Sequence, residues 1–285
     1  MGVADSEPAW TTVIGPSGGA LDWRLSELWA GRELIALFVW RDFIALYKQT
    51  ILGPLWHILQ PLLTTLTYTL VFGAMVGIPT DNTPPFLFYL AGNLLWSLFA
   101  ACLTKTATTL IANAALLGKV YFHRLVLPLS IVASAMLAFS IQAAVFLAVW
   151  LAYLARGSAI HPSPWLVAVP LAVLVVVGYG LCGGVIVSAL TTRYRDVGVL
   201  VSFGAQLLMF ATPVLYPASA VPPHLRWIIW LNPLASPLEV FRSGLLGAGT
   251  ATVPQFAGSC LLLPPVLFVA LVLFSRVDRN FMDTV

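Results

Sequence analysis

From about Leu55 to Phe274 the chain passes through six apolar stretches, and no Asp or Glu falls inside any of them. A helix of ~20 apolar residues is long enough to cross the ~30 Å hydrocarbon core of a bilayer. The expected crossings are about 55–77, 86–112, 125–155, 165–190, 197–213 and 256–274. Composition agrees: the chain is 60% hydrophobic and 9% charged, with a mean hydropathy of +0.93, which no soluble globular domain of this length would normally show. The predicted fold class is therefore an all-α membrane protein with six transmembrane helices.

The segments around these runs divide the chain further. Residues 1–20 lack an apolar run and contain Asp5, Glu7, Gly18 and Gly19, so they read as a polar tail with no cleaved signal peptide. Residues 21–54 mix Leu25, Leu28, Trp29, Leu34 and Phe38 with Arg24, Glu27, Arg32, Glu33 and Arg41. That is the composition of an amphipathic helix in the interface plane, followed by an elbow at Gly53-Pro54. Within it Arg41, Asp42, Tyr47 and Lys48 are interfacial candidates, because rings and long stems sit in hydrocarbon while their polar ends stay wet. Residues 55–285 form the membrane domain. Between the fifth and sixth runs, Pro213, Pro217, Pro222-Pro223, Asn232-Pro233 and Pro237 break the chain into pieces too short to cross. These read as re-entrant half-helices, which a bilayer tolerates only where protein or a water-filled cavity satisfies the freed backbone.

Six crossings put both termini on one side. Ten basic residues (Arg24, Arg32, Arg41, Lys48, Lys119, Arg124, Arg193, Arg195, Arg276 and Arg279) fall on that side, against Arg156, Arg226 and Arg242 on the other. The positive-inside rule then makes both termini cytoplasmic. The net charge of +3 is too small to suggest a nucleic-acid partner. Cys102, Cys182 and Cys260 lie in apolar runs and read as small core residues.

Omissions narrow the function. Coupled carriers usually relay protons or sodium through intramembrane carboxylates, and the crossings hold none. No G-x-x-x-x-G-K-[ST] loop is present to cradle nucleotide phosphates, so ATP could act only through another chain. Gly178, Gly180 and Gly183 spell G-x-G-x-x-G, but inside a continuous apolar run, where close helix packing is the expected role. Gly180/Gly184 and Gly73/Gly77 form G-x-x-x-G steps suited to a bundle or a dimer. His57, His123, His161 and His224 are scattered, without metal-ligand spacing, and read as interfacial or loop residues.

Several residues stand out as candidates. The loop 113–124 carries Leu116, Tyr121 and Phe122 beside Lys119, His123 and Arg124, an apolar content that a short helix docking into a partner would explain. The second loop offers Arg193, Tyr194, Arg195 and Asp196, either for the same partner or as positive-inside anchors. Glu239 and Arg242, three apart, can pair on one helical face, either to hold an extracytoplasmic gate or simply to neutralise each other. Lys105 either snorkels to the inner surface or meets an anionic head group. Tyr68, Phe72, Tyr89, Trp96 and Phe99 line up along the first two crossings, where aromatic faces suit sugar rings as well as plain packing.

Taken together, these sequences resemble a known family. Arg41-Asp42, Tyr47 to Thr50, Leu52 to Trp56 and Gln60-Pro61, Lys119 to Pro128, Arg193 to Asp196, Thr212 to Pro217, Asn232-Pro233-Leu234, Glu239 to Arg242 and Asp278 to Asp283 look like the transmembrane subunit of bacterial O-antigen and capsular polysaccharide ABC exporters, the Wzm type within the ABC-2 family. The resemblance implies a homodimer in the inner membrane, paired with two copies of a separate ATPase that binds ATP and magnesium, with no cofactor in this chain. Its cargo would be a polymer carried on a polyprenyl diphosphate lipid. Lys119 to Arg124 would lie on or beside the helix that transmits ATPase motion, and Glu239 and Arg242 would belong to a gate near the periplasmic side. His123 departs from the family, which usually has proline there, and His57 is also unusual. Permeases for teichoic acid, small lipids or drugs are the alternative within transport; an enzyme acting on lipid-linked sugars would need acid-base residues that the crossings lack.

Overall fold

The computed structural model describes residues 25–48, 50–120, 122–158, 160–191, 194 and 196–284. The tail over 1–20, together with Tyr121, Arg193 and Arg195, lies outside the described residues, as does the side chain of Tyr47. Among the described residues there is no strand.

Helices α1 (Leu25–Ala30) and α2 (Arg32–Tyr47) come first. In α2, Leu34, Ile35 and Phe38 pack against the protein while Leu37, Trp40 and Ile44 are exposed. Its apolar residues thus form two stripes, one towards the bundle and one away from it, rather than the single face of a simple amphipathic helix. A turn at Gly53–Leu55 leads into α3 (Trp56–Tyr68), which continues as a π-helix over Thr69–Met75. Gly77 then ends the run with φ +73°, and a Cβ there would meet nothing within 4 Å. Gly77 therefore ends this helix, while Gly73 lies against Pro85 and Tyr89, where a Cβ would come 3.5 Å from each.

Next come α4 (Pro85–Ala112), the short α5 (Ala114–Leu117), α6 (Val126–Ala155) and α7 (Val169–Thr191), the last preceded by a 3-10 turn over Pro164–Ala168. With α3 and the final helix α11 (Val253–Thr284), the described residues contain five helices long and apolar enough to cross a membrane. The fifth expected run is shorter. Its helix α8 (Val197–Ala211) has 15 residues, about 22 Å at helical rise, and stops because Pro213 drives Thr212 into extended backbone (φ −103°, ψ 140°). Beyond it lie two 3-10 turns, then α9 (Arg226–Leu231) and α10 (Ala235–Leu246).

The bundle is built around α4, which is buried along most of its length and touches α3, α6, α7, α8 and α10. Lipid tails are as apolar as leucine, so burial alone cannot hold such helices together; close packing must. Gly180 and Gly184 supply it. A Cβ on Gly180 would come 2.6 Å from the Cys102 Cβ, and one on Gly184 would come 2.5 Å from the Thr106 Cβ, so α7 approaches α4 as closely as backbones allow. Gly178 makes room for the Leu263 side chain of α11, whose Cδ2 would lie 2.8 Å from a Cβ there. The G-x-G-x-x-G letters are thus a packing surface. At the end of the bundle nearer the termini, Phe38, Leu110, Leu117, Val126, Val185 and Phe274 form one cluster joining α2, α4, α5, α6, α7 and α11.

Candidate functional site

Where α8 breaks, the carbonyls of residues 211–214 lose their helical partners, and where they are buried they need other donors. Two side chains take over. Asn232 donates through Nδ2 to the Ala211 carbonyl at 3.2 Å and to Thr212 Oγ1 at 2.7 Å, and its Oδ1 accepts from the Leu234 N–H at 3.0 Å. Arg242, on α10, donates to the Pro213 carbonyl, to the Val214 carbonyl at 2.6 Å and to the Phe88 carbonyl of α4 at 3.5 Å. Its guanidinium also lies 3.7 Å from the Phe88 ring centroid, within cation–π range. Gly92 makes room for it: a Cβ there would sit 2.5 Å from Arg242 Nη2 and 2.8 Å from the Val214 carbonyl.

Arg242 is 1% exposed and Glu239 is 4% exposed. The two approach to 3.9 Å, the outer edge of an ion pair. Each has better partners elsewhere, since Glu239 Oε2 accepts from the Thr250 N–H at 2.8 Å and from Thr250 Oγ1 at 3.4 Å. Spacing in the sequence indicates the pair; the contacts show it to be a pair of clamps, Arg242 on the α8 break and Glu239 on the turn leading to α11. Trp150 of α6 adds a third tie, donating through Nε1 to the Leu245 carbonyl at 2.8 Å, and Asp81 Oδ1 accepts from Ser219 Oγ at 2.6 Å across the same end.

The aromatic candidates divide. Tyr89 is fully buried, Trp96 and Phe99 are core residues with centroids 5.3 Å apart, and all three face the interior of one subunit. Tyr68 and Phe72 are half-buried where α3 meets α4 and α8, 5.9 Å from each other, with Tyr68 6.5 Å from Tyr89. Of the five, only Tyr68 and Phe72 keep a side open to whatever lies outside the subunit.

At the other end, Leu117 is buried, Leu116 is half-buried, and Phe122 turns inward, its ring 5.9 Å from Phe38 of α2. The apolar content of this loop is therefore spent largely on the subunit itself. Among its described residues Lys119 and Val120 are the large side chains left exposed, with Tyr194 and Asp196 exposed in the second loop. His123, where the family usually has proline, accepts through Nδ1 from the Leu125 N–H at 3.3 Å and helps start α6; Arg124 is half-buried beside it. On α2, Arg41 grips Asp42 Oδ1 at 2.8 Å and lies 4.8 Å from the Phe38 ring, while Lys48 is exposed at the helix end. Lys105 is exposed and lines a cavity between α2, α3, α4 and α6. No group of three or more His, Cys, Asp or Glu within metal-holding reach occurs among the described residues.

Gly92, Thr250 and Trp150 do not stand out in the sequence, and Asn232 does so only as part of a chain break, not as a hydrogen-bond donor. The first three matter only through contacts far along the chain.

A family model described as ABC-2 type transporter matches residues 33–246, from α2 through α10. The chain is 30% identical over 257 residues to the O-antigen export system permease protein RfbA of Klebsiella pneumoniae, covering 88% of this chain and 94% of that protein. It is 32% identical over 219 residues to the protein of the same name from Myxococcus xanthus, covering 76% of this chain and 82% of that one.

Proposed function

Because the chain belongs to the ABC-2 type transporter family, we propose that it is the permease subunit of an ATP-driven exporter that moves a lipid-linked polysaccharide, of O-antigen or capsule type, across the bacterial inner membrane. The observation that carries this reading is likeness to O-antigen export permeases along nearly the whole chain. The sequence supports it from another direction: it has no phosphate-binding loop and no carboxylate in the expected crossings, so neither nucleotide chemistry nor an ion relay is at hand. Energy then comes from two copies of a separate ATPase holding ATP and magnesium.

In this reading two permease subunits form the translocation path, α8 with the break after it makes the fifth of six passages, and α9 and α10 are re-entrant. The exposed Trp227 and Trp230 of α9 suit an interfacial position. Both termini are cytoplasmic, on the strength of the basic residues. Lys119, Val120 and Tyr194 meet the ATPase, and Tyr68 and Phe72 face the path. Glu239 and Arg242 hold the gate-side elements in place.

A strain lacking this chain should keep polymer inside the cell and lose it from the surface, and the wild-type chain should restore display. The ATPase should co-purify with the wild-type chain and be recovered several-fold less with Lys119→Glu/Tyr194→Ala. Normal surface polymer in the deletion strain would overturn the proposal.

A further inference from the structure

Between α2, α3, α4 and α6 lies a cavity of about 430 Å³, within the ~300–1,000 Å³ of pockets that hold small molecules. Lys105 lines one end. Asn93, twelve residues earlier on α4 and so about 18 Å away along the helix, lines the other, with Ser97, Ser134 and Gln142 between the helices. Polar side chains at this depth in hydrocarbon are costly unless satisfied, and these are only partly so. Ser97 Oγ donates to the Leu94 carbonyl at 2.9 Å and reaches Gln142 Oε1 at 3.3 Å. Asn93 Nδ2 reaches the Pro61 carbonyl only at 3.5 Å, and Ser134 Oγ is buried with no partner. Among the described residues Lys105 forms no ion pair, and the carboxylate lining the cavity, Asp42, is already held by Arg41 at 2.8 Å.

The cavity thus offers an available cation at one end and neutral amide and hydroxyl groups along the other. A purely apolar lipid tail has no use for either, and a free inorganic anion would leave the neutral groups unmatched. We propose that this cavity binds the phosphorylated sugar head of a membrane lipid, with Lys105 on the phosphate and Asn93, Ser97 and Gln142 on sugar hydroxyls. The identity of that lipid as the exporter's cargo rests on the function proposed above; the chemistry of the site does not.

The test uses the permease with its ATPase in nanodiscs of neutral phosphatidylcholine, and a short-prenyl diphosphate bearing one N-acetylglucosamine as probe. The wild-type complex is expected to bind the probe. Lys105→Gln should weaken binding about tenfold or more and Lys105→Arg should keep it, because a charge-assisted contact to phosphate is worth about one decade. Gln142→Leu should weaken the sugar-bearing probe several-fold while leaving the same prenyl diphosphate without sugar unaffected. Equal binding by wild type and Lys105→Gln would overturn the proposal, as would competition by inorganic pyrophosphate or by phosphatidylglycerol as effective as the probe itself. Binding that depends on Lys105 in a complex that exports no polymer would support the cavity and defeat the export reading. An exporting complex indifferent to Lys105 would do the reverse.

Discussion

The two ends of α4 treat polar groups in opposite ways. Near Phe88 a fully buried arginine is held on several sides, although its Nε has no partner: carbonyls of Pro213, Val214 and Phe88 accept from its two terminal nitrogens, an aromatic ring lies against it, and Glu239 stands 3.9 Å away. Seventeen residues on, Lys105 lines a cavity beside amides and hydroxyls that have spare hydrogen-bonding capacity. One charge repairs a backbone that prolines have broken; the other is left available. An ionisable residue within an apolar helix bundle is therefore not evidence of function by type alone, and its partners decide which of the two roles it plays.

Substitutions can break or sharpen that contrast. Arg242→Met removes the donor that satisfies the break, leaving buried carbonyls and the Glu239 carboxylate without it, and should destabilise the subunit by about 3–5 kcal/mol in thermal unfolding in detergent. The exchange of Glu239 and Arg242 for one another should not recover the loss, because carbonyls, not a carboxylate, are the main partners of the arginine; recovery would show that the 3.9 Å ion pair matters more. Gly184→Val drives a side chain into Thr106 and should cost about 1–3 kcal/mol by separating α7 from α4, read by the same melt. Asn232→Ala strips the Ala211 carbonyl of its side-chain donor and should cost roughly 1–2 kcal/mol. Lys105→Gln, at the open end, should shift stability by no more than about 0.5 kcal/mol. A large loss there would mean that Lys105, too, is a structural clamp.

Much of this arrangement could be read from the residues. The positions of the long helices follow from apolar run length, and the end of α8 follows from Pro213. The Glu239–Arg242 spacing marks a pair, although the arginine's principal partners, 28 and 29 residues upstream, leave no trace in local spacing. Identical letters proved unequal: Gly180 and Gly184 both pack α7 against α4, while in Gly73/Gly77 the second glycine ends a helix, and the difference is the left-handed backbone at Gly77. The contact of Phe122 with Phe38, eighty-four residues earlier, has no trace in local spacing, because it arises where α2 packs against α6. The cavity was the least legible of all. Its lining comes from four helices between residues 39 and 142, and no single helix carries enough polar residues to announce it.

The central claim, that this permease depends on a motor in another polypeptide to move a glycan lipid, is most directly tested by reconstitution in sealed vesicles. With the ATPase, ATP and magnesium present, a prenyl-diphosphate-linked polymer should cross to the protected side, and omission of either chain should abolish the transfer. Transfer against a gradient by this chain alone, or brisk ATP hydrolysis by the complex with no polymer moved, would contradict it.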